Sequence, residues 1–188
     1  MRGPAGDVVI TPFGPERVDE LQSLWLSLHA HHLSVAPQLA ALGAELPASD
    51  FWARRRTADL EALRHPCGIG LAAERDGRLV GYALGYVRRG TGATVWGTPG
   101  AVAVLDVLVV APECRAQGIG TALLEEFVGA AEARGARELE LTVVEGNESA
   151  MLFYERHGLV CFSTTFLSPI SAVRVRLREK KASESEIT

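Results

Sequence analysis

Several kinds of sequence signal are scarce in this chain of 188 residues. Its three cysteines, Cys67, Cys114 and Cys161, are far apart and form neither the spaced pairs of a zinc site nor a disulfide framework. No apolar run approaches the roughly 18 residues of a membrane-spanning helix. The formal net charge is −4, whereas nucleic-acid-binding domains are usually clearly basic. These absences predict no metal, no nucleic-acid partner and no membrane partner.

The start of the chain also lacks the charged and then apolar segment of a secretory signal. With no disulfide framework, the expectation is a soluble protein of the reducing cytoplasm. Hydrophobic residues make up 47% of the chain, which is enough for a sizeable core. The length predicts one domain over 1–178, with an N-terminal part at about 1–66, a core at 69–177 and a disordered tail at 179–188.

The most informative stretch is 105–124. Its first part, up to Val110, is apolar and rich in β-branched residues, which predicts a buried strand that Pro112 ends. From Thr121 onward the apolar residues recur at helical spacing, which indicates a helix that begins near Gly118. The sequence therefore predicts a strand, a short loop and a helix in succession.

The loop between that strand and helix, 115–120, reads Arg-Ala-Gln-Gly-Ile-Gly. Glycine lets a ligand approach the backbone closely, and the first N–H groups of a helix have no intrahelical acceptor. Together with the helix dipole and the charge of Arg115, these groups predict a cradle for a phosphate or diphosphate. A strand–helix turn that uses glycine for tight packing is the alternative. The dinucleotide fingerprint fails because Leu123 replaces its third glycine, and no Gly-Lys-Ser/Thr of a P-loop follows.

Elsewhere, alternation and helical spacing predict the remaining elements. A second helix is expected to begin at a cap formed by Ser49 or Asp50 and to run to about Arg64, with the arginine triplet 54–56 solvated. A long loop is expected over 88–100. Strands are predicted at 8–11, 69–74, 79–88, 101–110 and 138–144, helices at 16–32 and 147–156, and two closing strands at 159–167 and 170–177.

The segment 147–159 carries a second motif, Asn-Glu-Ser-Ala-Met-Leu-Phe-Tyr-Glu-Arg-His-Gly-Leu. Its periodicity predicts an amphipathic helix that Asn147 caps, with Phe153 packed toward the core. The two motifs together resemble those of the GNAT superfamily of N-acetyltransferases. Arg115, Gly118 and Gly120 match that family's acyl-CoA motif, Arg/Gln-x-x-Gly-x-Gly/Ala. The second motif matches Asn-x-x-Ala-x-x-Phe/Leu-Tyr-Glu-x-x-Gly-Phe, except that Leu159 replaces the usual phenylalanine.

The resemblance covers about 70–175 and implies a fold, a cofactor and residue roles. The implied fold is an α/β (α+β) domain with a mixed, mostly antiparallel sheet, a central parallel strand pair and helices on both faces. The implied acyl donor is acetyl-CoA, and Tyr154 is implied to protonate the leaving thiolate. A tyrosine with an ordinary hydrogen-bond partner is the alternative for Tyr154. The implied cofactor contacts are Leu108, Val109, Val110, Arg115, Ala116, Gln117, Gly118, Ile119, Gly120, Thr121 and Asn147.

The base that takes the proton of the amine is left open. Asp106 is the candidate on the central strand, where alternation places it in register with Leu108. A surface or ion-paired role is the alternative for Asp106, and Glu145, His31 and His32 are further candidates.

The reaction implied is acetyl transfer to a primary amine on a small molecule or a peptide. A homodimer is also compatible with the family. A non-catalytic CoA-binding module and an acyltransferase for a longer acyl-CoA, such as succinyl-CoA, are the alternative functions.

Overall fold

The computed structural model describes residues 7–38, 47–90 and 100–185. The chain divides into two compact units. The first comprises Met1–His31 and Leu46–Val143, and the second comprises His32–Glu45 and Val144–Thr188. Within the described ranges, every helix is too short or too polar to cross a membrane.

A five-stranded sheet forms the centre of the first unit, with its strands in the order β1-β2-β3-β4-β5. Neighbouring strands from β1 to β4 pair antiparallel, and β4 pairs with β5 in parallel. This arrangement confirms the predicted mixed sheet. Most of the predicted loop over 88–100 lies at 91–99, outside the described residues. The strands are β1 at Val8–Pro12, β2 at Gly68–Arg75, β3 at Arg78–Arg89, β4 at Ala101–Val110 and β5 at Ala136–Leu141.

Five α-helices complete the described chain. The helix predicted at 16–32 begins instead as a 3-10 helix at Pro15–Leu21, and proline lies at its start, where its missing N–H removes no intrahelical hydrogen bond. The second helix begins at Ala48 after Pro47 and has no side-chain cap, so the predicted cap by Ser49 or Asp50 is wrong. The α-helices are α1 at Gln22–Val35, α2 at Ala48–Arg64, α3 at Ile119–Glu132, α4 at Glu148–Arg156 and α5 at Ile170–Ser185.

Helices α2 and α3 pack on opposite faces of the sheet, and glycines permit the close approach. A Cβ at Gly81 on β3 would lie 3.2 Å from the Leu123 side chain of α3, and Gly85 shares that face. A Cβ at Gly70 on β2 would lie 2.7 Å from the Leu63 side chain of α2, on the other face. The absence of a side chain at these glycines therefore lets both helices pack close to the sheet.

Strand β4 has two irregularities near its middle. Leu84 of β3 pairs with Val107 and Gly85 pairs with Leu105, so Asp106 is the extra residue of a β-bulge. The parallel pairing with β5 ends at Leu105. Consequently β4 pairs on both sides in its first half, whereas after Leu105 its described strand pairing is with β3 alone.

The second unit contains α4 and α5 and differs from the prediction at its C-terminal end. The closing strands expected at 159–167 and 170–177 are wrong, because 159–169 is irregular, with 160–169 exposed, and α5 begins at Ile170. The expected tail from 179 is helical as far as Ser185, and 186–188 lie outside the described residues. Alternating apolar residues predict strands only where a partner strand supplies hydrogen bonds, whereas a helix forms these bonds within itself.

Candidate active site

The loop that follows β4 has a backbone shaped by two left-handed residues. A single 3-10 turn at Pro112–Cys114 comes first. Ala116 then adopts a φ of 57°, and Gly118 adopts a φ of 82° immediately before α3 begins. Left-handed residues next to right-handed ones turn successive N–H groups toward one side, which forms a concave anion site. The predicted strand–loop–helix sequence is confirmed.

The amides at the start of α3 are available to a ligand. Ile119 and Gly120 are the first two residues of the helix, so their N–H groups have no intrahelical acceptor. Within the described part of the chain, the N–H of Gly118 has no backbone hydrogen bond. A Cβ placed at Gly118 would meet nothing within 4 Å. The loop therefore has both the donors and the open space that a diphosphate requires.

Polar side chains surround this loop. Arg115 is exposed, and its Nε donates to the carbonyl oxygen of Val110 at 3.2 Å, which keeps a positive charge at the loop. Gln117 accepts a hydrogen bond from Arg75 at 2.9 Å. Nothing in the local sequence pointed to Arg75, because its contact spans 42 positions. Thr121, also a predicted cofactor contact, lies in the first turn of α3.

The second half of β4 lies next to this loop and includes the predicted contacts Leu108, Val109 and Val110. All three residues pair with β3, at Ala83, Tyr82 and Gly81 respectively. The described pairing of β4 with β5 ends before them, so among the described residues their other edge has no strand partner, although the Val110 carbonyl accepts from Arg115. This geometry suits the binding of an extended chain such as pantetheine.

Asp106 occupies the bulge and contacts α2. Its Oδ2 lies 3.8 Å from the Nη2 of Arg55, and its side chain is 36% exposed. Leu108 pairs with Ala83, which shares the α3 face of the sheet with Gly81. The alternation that placed Asp106 in register with Leu108 is therefore wrong, because the extra residue of the bulge interrupts it.

Arg55 also pairs with an acid that the sequence analysis missed. Its Nε donates to the Oδ1 of Asp59 at 2.6 Å, and Asp59 is fully buried. The prediction of a solvated triplet at 54–56 is therefore wrong for Arg55, whose side chain is only 17% exposed. The spacing of four residues on one helix was a signal for this ion pair.

Burial controls the ionisation of this cluster. Desolvation by burial raises the pKa of Asp59. This effect outweighs that of the Arg55 guanidinium, which lowers the pKa, and the negative charge of Asp106 raises the pKa further. Desolvation also raises the pKa of Tyr82, and the nearby negative charge of Asp59 raises it further. Among the described residues, Asp59 Oδ2 and the Tyr82 hydroxyl are buried without a hydrogen-bond partner. Buried polar atoms of this kind are commonly satisfied by ordered water.

The second motif lies in the second unit, where Asn147 caps α4 as predicted. Its Oδ1 accepts hydrogen bonds from the N–H of Ala150 at 3.3 Å and from the hydroxyl of Ser149 at 3.0 Å. Asn147 is only 6% exposed. Its Oδ1 therefore has a structural role in holding the first turn of the helix.

Tyr154 lies two helical turns after that cap and is half-buried. The ring of Phe153 packs edge-on against it, with ring centroids 5.1 Å apart. Burial raises the pKa of Tyr154 to about 12, so its hydroxyl is protonated at neutral pH. It can therefore donate a proton or a hydrogen bond.

Comparison with known proteins is consistent with both motifs. The family model of the acetyltransferase (GNAT) family matches residues 23–159. L-2,4-diaminobutyric acid acetyltransferase of Nocardia farcinica is 32% identical over 87 residues, which cover 46% of this chain and 41% of that relative. N-alpha-acetyltransferase 30 of Schizosaccharomyces pombe is 42% identical over 54 residues, which cover 29% of this chain and 36% of that relative. The chain thus spans less than half the length of these curated relatives.

Solved structures share the fold. An aminoglycoside N-acetyltransferase, AAC(6')-Iy, in complex with CoA matches with a TM-score of 0.64 and 15% identity, over 90% of this chain and 98% of that chain. A ribosomal-protein-alanine N-acetyltransferase from Brucella melitensis biovar Abortus matches with a TM-score of 0.58 and 20% identity, over 87% of this chain and 99% of that chain. Because the family model covers more than half of the sequence, the chain belongs to the GNAT family of acetyltransferases, enzymes whose acyl donor is acetyl-CoA.

Proposed function

We propose that this chain transfers the acetyl group of acetyl-CoA to a primary amine. The observation that carries the proposal is the loop at 115–120, where outward N–H groups, two left-handed residues and Arg115 coincide at the start of α3. A diphosphate fits this site because its oxygens accept several hydrogen bonds and its charge is favoured by the helix dipole. The open edge of β4 provides hydrogen-bonding groups for the pantetheine arm.

When bound, acetyl-CoA supplies a thioester whose acetyl carbonyl is attacked by a neutral amine, with the thiol of coenzyme A as the leaving group. In the proposed mechanism, backbone N–H groups near Leu108–Val110 polarise that carbonyl. Asp106 accepts the proton that the amine loses, because it combines a half-exposed carboxylate with a position next to the open edge of β4. Arg55 holds the carboxylate of Asp106 from the side of α2.

Tyr154 is proposed to donate to the sulfur as the bond between the acetyl carbon and the sulfur breaks. Its pKa of about 12 keeps the phenol protonated under assay conditions. The same shift makes it a weaker acid than a thiol of ordinary pKa, about 8.5. We therefore expect its main contribution to be a hydrogen bond to the developing negative charge, with proton transfer late in the step.

The acceptor is proposed to be a cationic primary amine of a small molecule or a peptide. The carboxylate of Asp106 supports this class, because an ammonium group is attracted to it before deprotonation. The names of similar proteins also refer to amine-containing molecules, namely diaminobutyric acid and aminoglycosides. A single domain over 1–178, a cytoplasmic location and a homodimer remain parts of the proposal.

An acceptor panel with detection of free thiol tests this function. The panel contains diamino acids, aminoglycosides and short peptides, and each is assayed with acetyl-CoA and with succinyl-CoA. We expect thiol release with acetyl-CoA that depends on an amine. CoA binding without turnover on any acceptor would favour the non-catalytic CoA-binding module, and faster turnover with succinyl-CoA would favour the longer-acyl alternative. No binding of CoA at all would refute the proposal.

A further inference from the structure

The side chain of Gln117 joins two parts of the first unit that are distant in sequence. Its Oε1 accepts a hydrogen bond from Nη1 of Arg75 at 2.9 Å. Its Nε2 donates to the carbonyl oxygen of Glu113 at 3.1 Å. Arg75 is the last residue of β2, so this bridge ties the loop after β4 to a different strand of the sheet.

The bridge lies where the backbone of the loop adopts its least favourable conformation. Gln117 stands between Ala116, with a φ of 57°, and Gly118, with a φ of 82°. Residues with a Cβ avoid the left-handed region because the Cβ approaches a carbonyl oxygen. Ala116 has that Cβ, so its conformation persists only where neighbouring contacts fix it. Both ends of the Gln117 amide are engaged, so its side chain provides such contacts.

Arg75 is well suited to hold this bridge in one place. Its side chain is half-buried, and Nη1 also lies 3.9 Å from the Sγ of Cys114, a buried residue in the preceding turn. Its Nε is buried and has no hydrogen-bond partner among the described residues. A planar guanidinium presents its donors in fixed directions, so an enclosed arginine positions its acceptor more strictly than a solvated one does.

We propose that Arg75 is a positioning residue for the loop at 115–120, which we call the anion loop. Through Gln117 it fixes the orientation of the N–H groups at Gly118–Gly120 toward a diphosphate. The inference rests on the proposed function, because the diphosphate considered is that of coenzyme A. Arg75 acts through another side chain and does not itself bind the ligand. A direct ion pair between Arg75 and a phosphate of the ligand is the competing explanation.

Calorimetric titration of the full chain with CoA tests the proposal in a double-mutant cycle. The variants are Arg75→Met, Gln117→Ala and the double variant. Arg78→Met is the matched control, because Arg78 pairs with Arg75 across the same hairpin and is exposed. Thermal unfolding without ligand accompanies each titration, and the exposed Gln117→Ala variant keeps the test informative if Arg75→Met unfolds.

Each single variant is expected to raise the Kd for CoA about tenfold, as for the loss of a hydrogen bond to a charged group. The double variant should bind no more weakly than the weaker single variant, because both changes break the same bridge. Arg78→Met should bind within about twofold of the wild type, since no hydrogen bond or ion pair among the described residues joins Arg78 to the loop. In steady-state assays, KM for acetyl-CoA should rise while kcat changes little.

Dephospho-CoA, which lacks the 3′-phosphate, tests for direct contact between Arg75 and that phosphate, while the double-mutant cycle tests for contact with the diphosphate. A positioning role predicts that Arg75→Met weakens CoA and dephospho-CoA by the same factor. The inference would be overturned if the double variant raised the Kd by the product of the two single effects, or if Arg75→Met weakened the binding of CoA but not of dephospho-CoA. Either result would show that Arg75 contacts the ligand. Unchanged binding in Arg75→Met would also overturn it. If the wild type does not bind CoA, the proposed function fails first, so the two failures are distinguishable.

Discussion

Arg55 and Asp59 lie one turn apart on α2 and form an ion pair whose acid is fully buried, while Arg55 also faces Asp106 at the bulge of β4. Removing one partner from such a pair leaves a charge without compensation, which costs more than replacing both partners together. The pair therefore links the fold of α2 to the carboxylate that we propose as the catalytic base.

The first prediction concerns the pH dependence of the Asp59→Asn variant. The pKa of Asp59 is raised above its ordinary 3.8, so the stability it contributes is fully present below that value and is lost as the pH rises through the higher folded-state pKa. Asparagine has no such titration. The free energy of unfolding of the wild type should therefore fall relative to that of Asp59→Asn as the pH rises from about 4 to 7. Urea unfolding at several pH values measures this difference.

The matched control for that measurement is Asp19→Asn. Asp19 also pairs with an arginine of α2, Arg56, but it is exposed, and the ion pair lowers its pKa. A lowered pKa contributes stability that is present above the unfolded value and is lost as the pH falls. The two variants should show opposite pH trends. The same trend in both would contradict the direction assigned to Asp59.

The second prediction concerns Asp106→Asn. Loss of the proposed base should lower kcat/KM for the acceptor by about 10²-fold or more, while the Kd for CoA stays near the wild-type value. Stopped assays with saturating acetyl-CoA measure the first quantity, and calorimetry measures the second. Asp76→Asn is the control, because Asp76 is an exposed acid in the β2–β3 hairpin. Equal activity in both variants would exclude Asp106 from the reaction.

The third prediction compares Gly118→Ala with Gly77→Ala. Both glycines have a positive φ, 82° and 72°, and a Cβ at either would meet nothing within 4 Å. Each substitution should lower the free energy of unfolding by about 1 kcal/mol through backbone strain. Only Gly118→Ala should weaken CoA binding, because only its new methyl group lies at the anion site. CoA binding unchanged in Gly118→Ala would argue against the loop as the diphosphate site.

The fourth prediction concerns Tyr154→Phe. The substitution removes the proposed donor to the sulfur, so kcat should fall at least about tenfold while the Kd for CoA changes little. A pKa of about 12 also predicts that Tyr154 produces no loss of activity below about pH 10. A pH–rate profile of the wild type measures this. Equal losses in kcat and in CoA affinity would point to a packing role.

Local patterns were sufficient to predict the five strands of the sheet and the strand, loop and helix around residues 115–120. The run up to Val110, the glycines after it and the helical spacing from Thr121 all agree with one arrangement, and the structure has it. The Asn147 cap was equally local. These features depend on neighbours within a few residues, so the sequence contains the necessary information.

Most of the features that the sequence analysis missed depend on contacts between residues distant in sequence. Arg55 was predicted to be one of three solvated arginines; its spacing from Asp59 was a local signal, whereas its contact with Asp106 has none. The contact between Arg75 and Gln117 has no local pattern. The alternation around Asp106 failed because a bulge depends on the pairing of two strands.

The bulge at Asp106 divides β4 into two halves that differ in their strand partners. Up to Leu105, the strand pairs with β3 on one side and β5 on the other, and any change of register there would disturb the core. Beyond it, pairing with β3 resumes in step, because Leu105 and Val107 lie opposite the consecutive residues Gly85 and Leu84. Deletion of Asp106 would therefore leave Val107–Val110 on their present faces and remove the carboxylate that faces Arg55, so β4 carries its candidate base on a residue that the pairing of the sheet does not require.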